Sequence, residues 1–312
     1  MNKIAALALL LTLDAPAWAA FDASGKGTST AGFLELGAGA RAAGMGDAYT
    51  GAADDASALY WNPAALTRIE KRSAVFMHAP YVDSSYFDYL AYGQNLGAAG
   101  AWGASLQYFS AGKITGTDNV TGAATGDFTP NDLAVTGGYA YPFRGGPLSG
   151  WSAGVGVKYV RSKIVATAQT AALDLGVLSR PYLNDRLRLG LTASNLGGKM
   201  KFESESSSLP VLFKAGAAYK IDARWSAALD VAQPKDNRAY AALGTEYVLP
   251  VKDDWGMAVR AGLNTRTLGD VSGFTGASFG VGFMGRSGGV DYAFLPFGGL
   301  GLTQRLSVSA KF

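Results

Sequence analysis

From Arg72 to the end of the chain, apolar and polar positions alternate with a period of two. The last ten residues show it most plainly. Leu306, Val308, Ala310 and Phe312 share one face, and Arg305, Ser307, Ser309 and Lys311 share the other. The same pattern sets Leu187, Leu189, Leu191 and Ala193 against Arg186, Arg188 and Thr192, and Trp255, Met257, Val259 and Ala261 against Arg260 and Asn264. Successive side chains of a strand point to opposite faces, so the pattern predicts β-strands with one apolar side. A half-buried soluble sheet alternates in the same way, and periodicity alone leaves the two open.

Length and spacing separate them. Fourteen runs bounded by turn residues lie near 72–80, 86–95, 100–111, 131–142, 151–163, 171–180, 186–195, 210–220, 224–232, 239–249, 255–264, 273–284, 289–296 and 303–312. Most have the nine to twelve residues that a tilted strand needs to cross a bilayer, where a soluble strand averages about 5–6. Connections after even-numbered runs are mostly short, and the two longest, around 113–130 and 196–209, follow odd-numbered runs. Short periplasmic turns and longer external loops mark outer-membrane barrels. Trp102, Trp151, Trp225 and Trp255 each open an odd-numbered run on its apolar face, and Tyr108, Tyr159 and Tyr219 share that side. With the first run rising from the periplasm, the four tryptophans form a belt at one membrane interface. The expected fold is all-β: a 14-stranded antiparallel transmembrane β-barrel, with Phe312 as a terminal aromatic of the kind the outer-membrane insertion machinery reads.

Residues 1–71 are different. Lys3, a ten-residue run at 4–13 that is apolar except for Thr12, and Ala17-Trp18-Ala19 read as a secretory signal cleaved near Ala19. Residues 20–71 are small and glycine-rich, suited to a narrow space with close backbone contacts. A 14-stranded barrel is too wide for wall side chains to fill, so the expected organisation is a signal peptide (1–19), a partly helical hatch plugging the lumen (20–71) and the barrel (72–312). Asp54 or Asp55 is placed to cap a short helix from Ala56 to Trp61. Asn62 is placed to cap a second, with Pro63 at its first position.

Composition narrows the chemistry. The chain is 48% hydrophobic and 16% charged, against about a quarter charged in soluble domains. A net charge of +3 does not point to nucleic acid. There is no Cys and a single His, so thiolate and multi-His metal sites are excluded. No cofactor is expected. Catalysis by His78 would need a paired nucleophile that no spacing marks, and a structural role is expected for it. Arg161, Lys214, Arg260 and Arg305 are expected to face the lumen. Arg41 in the hatch is expected to pair with an acid, either Asp54, Asp55 or one from the wall, because a buried unpaired charge is costly.

The stretch GARAAGMGDAYTGAADDASALYWNPAAL, residues 39–66, resembles the hatch of the FadL-type outer-membrane transporters of long-chain fatty acids and other hydrophobic molecules. It resembles still more closely the related PorV/PorQ family, which includes outer-membrane components of the type IX secretion system. The matching positions are Gly44-Met45-Gly46, Asp54-Asp55-Ala56-Ser57 and Asn62-Pro63-Ala64, with Arg41 in the same stretch. Thr28 to Arg41 also looks like a PorV-type start, and Ala65 stands where a Gly is usual. The resemblance implies an outer-membrane location and one of two roles. One is a passive channel whose hydrophobic ligand rests between wall and hatch, against Phe33, Leu34, Met45, Tyr49, Leu59, Tyr60 and Trp61, unless these serve only hatch packing. The other is a partner of secretion-system proteins. A structural barrel without transport is the third reading.

Overall fold

Alternation becomes a closed surface once each strand finds two neighbours. The computed structural model describes residues 25–312 apart from 119, 203–204, 253 and 269. The signal segment expected over 1–19, and its cleavage, lie outside the described residues. Fourteen antiparallel strands form one closed barrel: β1 (Arg72–Pro80), β2 (Tyr86–Asn95), β3 (Ala101–Ser110), β6 (Asn131–Pro142), β7 (Ser152–Lys163), β8 (Thr167–Leu178), β9 (Leu187–Gly197), β12 (Leu212–Lys220), β13 (Trp225–Pro234), β14 (Tyr240–Lys252), β15 (Trp255–Asn264), β16 (Ala277–Gly285), β17 (Gly288–Pro296) and β18 (Leu302–Lys311). β1 closes the ring against β18, with Ser73 opposite Lys311 and His78 opposite Leu306. Closure leaves no free edge, which an isolated sheet in lipid could not tolerate.

The two long connections that the sequence leaves as loops each fold a small hairpin: β4 (Ile114–Thr117) with β5 (Ala124–Phe128), and β10 (Lys199–Phe202) with β11 (Glu205–Ser208). Both hairpins stand at one end, called here the loop end. The two-residue connection 286–287 lies at the other, the turn end.

The faces sort by polarity. Leu306, Val308, Val259 and Met257 are exposed on the outside, while Ser307, Arg305 and Arg260 are buried within. Trp102, Trp225 and Trp255 sit on the outer face near the turn end, and Trp255 stacks on Phe283 at 4.9 Å. Arg161 corrects the expectation. It shares the outward face with Val155, Val157 and Tyr159, at the loop end of β7, where its guanidinium donates to Asn131 Oδ1. Its charge sits above the apolar belt, so the alternation is obeyed and only the inference from charge to lumen fails.

Candidate functional site

The described N-terminal segment runs inside the barrel from the loop end to the turn end. At the start, Lys26 pairs with Asp270 (2.5 Å), Ser29 donates to Asp236, and the Thr30 amide donates to the Ser208 carbonyl. At the finish, Thr67 meets Ser152 (3.0 Å), and Asn95 donates to the Thr67 and Ile69 carbonyls. Between these points lie a helix at Ala40–Gly44, another at Ala58–Trp61 and a 3-10 helix at Pro63–Arg68. The segment therefore fills the lumen as a hatch.

Each sharp corner has a local cause. The helix expected from Ala56 begins at Ala58, with Ser57 at its N-cap and no side-chain cap; Asp55 Oδ1 instead accepts from the Ser57 amide and hydroxyl in the turn that leads into it. Asn62 Oδ1 accepts from the Ala64 amide, capping the helix that Pro63 starts. The Asn62 amide group donates to Thr50 O in the hatch and Val177 O in the wall, so one side chain ties helix start, loop and barrel together.

A chain of charges, part-buried at Asp54 and Arg41 and buried at Glu246 and Arg260, fastens the hatch to the wall. Arg41 donates to both carboxylate oxygens of Glu246 on β14 (2.8 Å each) and to Asp54 (2.7 Å). Glu246 also accepts from Arg260 on β15 (2.7 Å), which reaches Asp291 on β17 (2.8 Å). Arg41 thus takes a hatch acid and a wall acid together, and Asp55 is left to its turn. Burial opposes ionisation of Asp54, but Arg41 and Arg68 outweigh it and hold the carboxyl below its ordinary range. Burial, reinforced by the Asp54 charge, pushes Asp55 up. A second anchor is Asp230 on β13, whose Oδ2 accepts from the Tyr49 and Thr50 amides and the Thr50 hydroxyl.

Glycine explains how the backbone fits. Glycine weakens a strand interior and marks close approach of another backbone. Gly176 (β8), Gly190 (β9), Gly216 (β12), Gly244 (β14), Gly262 (β15) and Gly280 (β16) face inward, where the hatch passes. A methyl on Gly262 would land on the Gly46 nitrogen, and one on Gly244 on the Met45 carbonyl. One on Gly44 would sit 2.9 Å from the Gly280 Cα. Gly46 itself has φ +66°, a turn open to glycine, and its amide donates to Ser278 Oγ (3.0 Å). The Gly44-Met45-Gly46 stretch is thus pressed against a belt of wall glycines.

The hydrophobic hatch residues do not gather around one space. Phe33 and Leu34 pack with Val75, Met77, Phe87 and Tyr89 of the wall. Met45, Tyr49, Leu59 and Trp61 pack in a second cluster, and Trp61 donates to Ala38 O. Tyr60 bridges the two clusters. Leu34, Tyr60 and Trp61 border a gap of about 20 Å³, and Met45 and Tyr49 a pocket of about 220 Å³ near the turn end whose lining also carries many charged side chains. The cavity with the most apolar character lies elsewhere, at the loop end between hatch and wall. It holds about 260 Å³ and is lined by Leu36, Tyr81, Leu295, Pro296 and Phe297, with Asp47, Arg266 and Arg305 among its polar groups. Arg305 donates to Gly37 O (3.1 Å), and its Nε is buried without a hydrogen-bond partner. No property of the sequence around Leu36 or Tyr81 marks that cavity, because it forms only where distant loops meet the hatch.

Lys214 faces the lumen, its ammonium 4.5 Å from the Trp61 ring centre. His78 lies on the outer face with Nδ1 2.6 Å from Asp88 Oδ1, beside the Tyr86 ring. Among the described residues, no group of His, Asp or Glu could hold a metal.

A lipid-belted ring of fourteen strands, stopped by its own N-terminal segment, defines an outer-membrane barrel of the hatch-plugged class. The chain belongs to the PorV family: the family profile described as type IX secretion system protein PorV matches residues 22–232. No curated protein matches. The fold is shared with solved hydrocarbon channels. The Pseudomonas putida toluene transporter TodX superposes with a TM-score of 0.57 at 13% identity, covering 88% of this chain and 99% of that one. The CymD monoaromatic hydrocarbon channel gives 0.60 at 13% (89% and 98%), and a Pseudomonas aeruginosa FadL homologue 0.54 at 14% (91% and 98%).

Proposed function

We propose that this barrel admits small hydrophobic molecules, with the loop end facing the cell exterior and the apolar cavity there as the binding site. The observation that carries the reading is that cavity: about 260 Å³ wedged between hatch and wall. It falls just below the roughly 300–1,000 Å³ that drug-sized ligands occupy, so the fit is to a small ligand. Arg266 is held by Glu35 and Arg305 stands 3.7 Å from Asp47, so the unpartnered Arg305 Nε offers one donor to a polar atom at the end of such a molecule. The resemblance in fold to a toluene transporter and a monoaromatic hydrocarbon channel supports the same class of cargo. Below the cavity the glycine belt closes the axis, so the molecule leaves when the hatch shifts or the wall opens sideways. The β8–β9 seam, whose register shifts between Leu173 and Leu175, is the place in the wall most suited to opening. Uptake of labelled octanoate by a host lacking its own transporter tests this. The chain is expected to raise uptake, and Leu36→Trp, which fills the cavity, to abolish the gain. Equal uptake with and without the chain refutes it.

Membership in the PorV family supports a second reading, a partner of secretion machinery that holds cargo or a translocon at its rim. Co-purification of a large barrel or of secreted cargo in mild detergent would favour it.

A further inference from the structure

The turn end carries a feature that neither reading uses. Two cavities of about 760 and 220 Å³ open there and share Asp54, Arg68 and Arg188. Ten cations border them, among them these six: Arg68 from the hatch, Arg188 on β9, Lys220 on β12, Arg224 in the turn after β12, and Arg72 and Lys311 where β1 meets β18. None of the six forms an ion pair among the described residues. Arg68 donates only to the carbonyls of Gly51, Ala52 and Ala53, which holds its side chain in place, and its charge acts on Asp54, an acid that Arg41 already holds. Of the five carboxylates that border the cavities, Asp54 and Glu246 are held by Arg41 and Asp222 by the amides of Arg224 and Trp225, which leaves Glu70 and Asp185 against the cations. With ten cations against five carboxylates, the cleft carries a net positive charge and concentrates anionic ligands.

The arrangement also limits the ligand's shape. In the ring, β12 stands seven strands from β1, so Lys220 lies across the mouth from Arg72 and Lys311. With strands about 4.8 Å apart and tilted about 40°, the barrel is roughly 28 Å across. A single phosphate cannot reach both sides. An extended chain, at about 3.3 Å per residue, spans the mouth in about nine residues. The hatch closes the floor, so such a chain docks without passing through.

We propose that the turn-end vestibule binds an extended acidic segment of a periplasmic protein. The test uses the purified full-length barrel in neutral detergent and a fluorescein-labelled deca-aspartate probe followed by anisotropy. Binding is expected for deca-aspartate and not for deca-serine, and is expected to weaken steeply between about 50 and 300 mM salt as screening shortens the reach of the charges. Arg188→Gln/Lys220→Gln/Lys311→Gln should weaken it about tenfold or more, at the scale of three exposed charge contacts. A control at the loop end, Lys199→Gln/Lys201→Gln/Lys235→Gln, should leave it unchanged. Heat-dependent gel mobility reports folding of each variant, and the salt titration needs no variant at all. Equal binding by the two triple variants, or binding indifferent to salt, overturns the proposal. So does displacement of the probe by inorganic phosphate, which would make this a small-anion site, or by phosphatidylglycerol, which would make it a lipid contact.

Discussion

Replacing Arg41 by Met removes the side chain on which the hatch's charge network turns. Arg41 makes three charge-assisted hydrogen bonds of 2.7–2.8 Å. Glu246 is 7% exposed and, without Arg41, must share Arg260 with Asp291. Stripping one partner from a buried pair costs about 3–5 kcal/mol, because the other charge stays desolvated. Asp54 is 32% exposed and adds little. The expected loss is therefore about 3 kcal/mol of hatch docking, which is about a hundredfold in the population of opened hatch. Because the chain has no Cys, Ser57→Cys gives a single reporter thiol at a buried hatch position, and each variant is compared in that same background. The thiol gives up the hydroxyl bond to Asp55 but keeps the one from the backbone amide. Its reaction with maleimide should speed up about a hundredfold in Arg41→Met. Adding Glu246→Gln removes the stranded carboxylate and leaves Arg260 matched to Asp291, so the double variant should recover about 2 kcal/mol relative to the sum of the single changes. A reaction rate within about threefold of the parent, or strict additivity in the double variant, would refute the reasoning.

Four further outcomes follow from the same geometry. Gly262→Ala should cost about 1–3 kcal/mol by forcing the hatch off the wall, whereas Gly137→Ala, with nothing within 4 Å of the added methyl, should be neutral in the same thermal melt. Val259→Arg on the lipid face should destabilise the barrel by about 2–4 kcal/mol if it sits near the bilayer midplane, measured by urea unfolding in lipid vesicles. The Asp54 carboxyl is held below its ordinary 3.8 in the folded protein, so its stabilisation is complete above that value and is lost as pH falls through the lower folded value. Protection of Ser57→Cys in an Asp55→Asn background against 4,4′-dithiodipyridine, which still reacts with thiols in acid, should drop on acidification below about pH 4, and Asp54→Asn should remove part of that drop. The Asp55→Asn background is needed because the raised Asp55 contributes in the opposite direction, favouring the fold at acid pH.

Much of the barrel is legible along the chain because each strand's signal is local. Residues 72–80, 86–95, 131–142 and 255–264 are strands over those very spans, and their faces follow the alternation. Boundaries drift where small residues blur the ends. The run expected at 171–180 is β8, Thr167–Leu178, and that at 273–284 is β16, Ala277–Gly285. The hatch's Asn-Pro corner was legible too, since the Asn62 cap bonds two residues from itself, and the Asp-Asp corner was legible as a turn but not as the cap of a helix from Ala56. The cavity beside Leu36 and the partners of Arg41 were not, because Glu246, Asp230 and Asp291 look in sequence like any polar member of an alternating strand.

By itself, then, the sequence determined what depends on neighbours in the chain: the period of two, the strand lengths, the short turns, the capped corners of residues 54–66. Only the tertiary structure decided which wall residues meet the hatch. It placed Glu246 some two hundred residues downstream against Arg41, and lined up glycines from separate strands into one belt. Those pairings exist only after β1 has found β18, since closing the ring sets which inward position of each strand stands at the height where the hatch crosses.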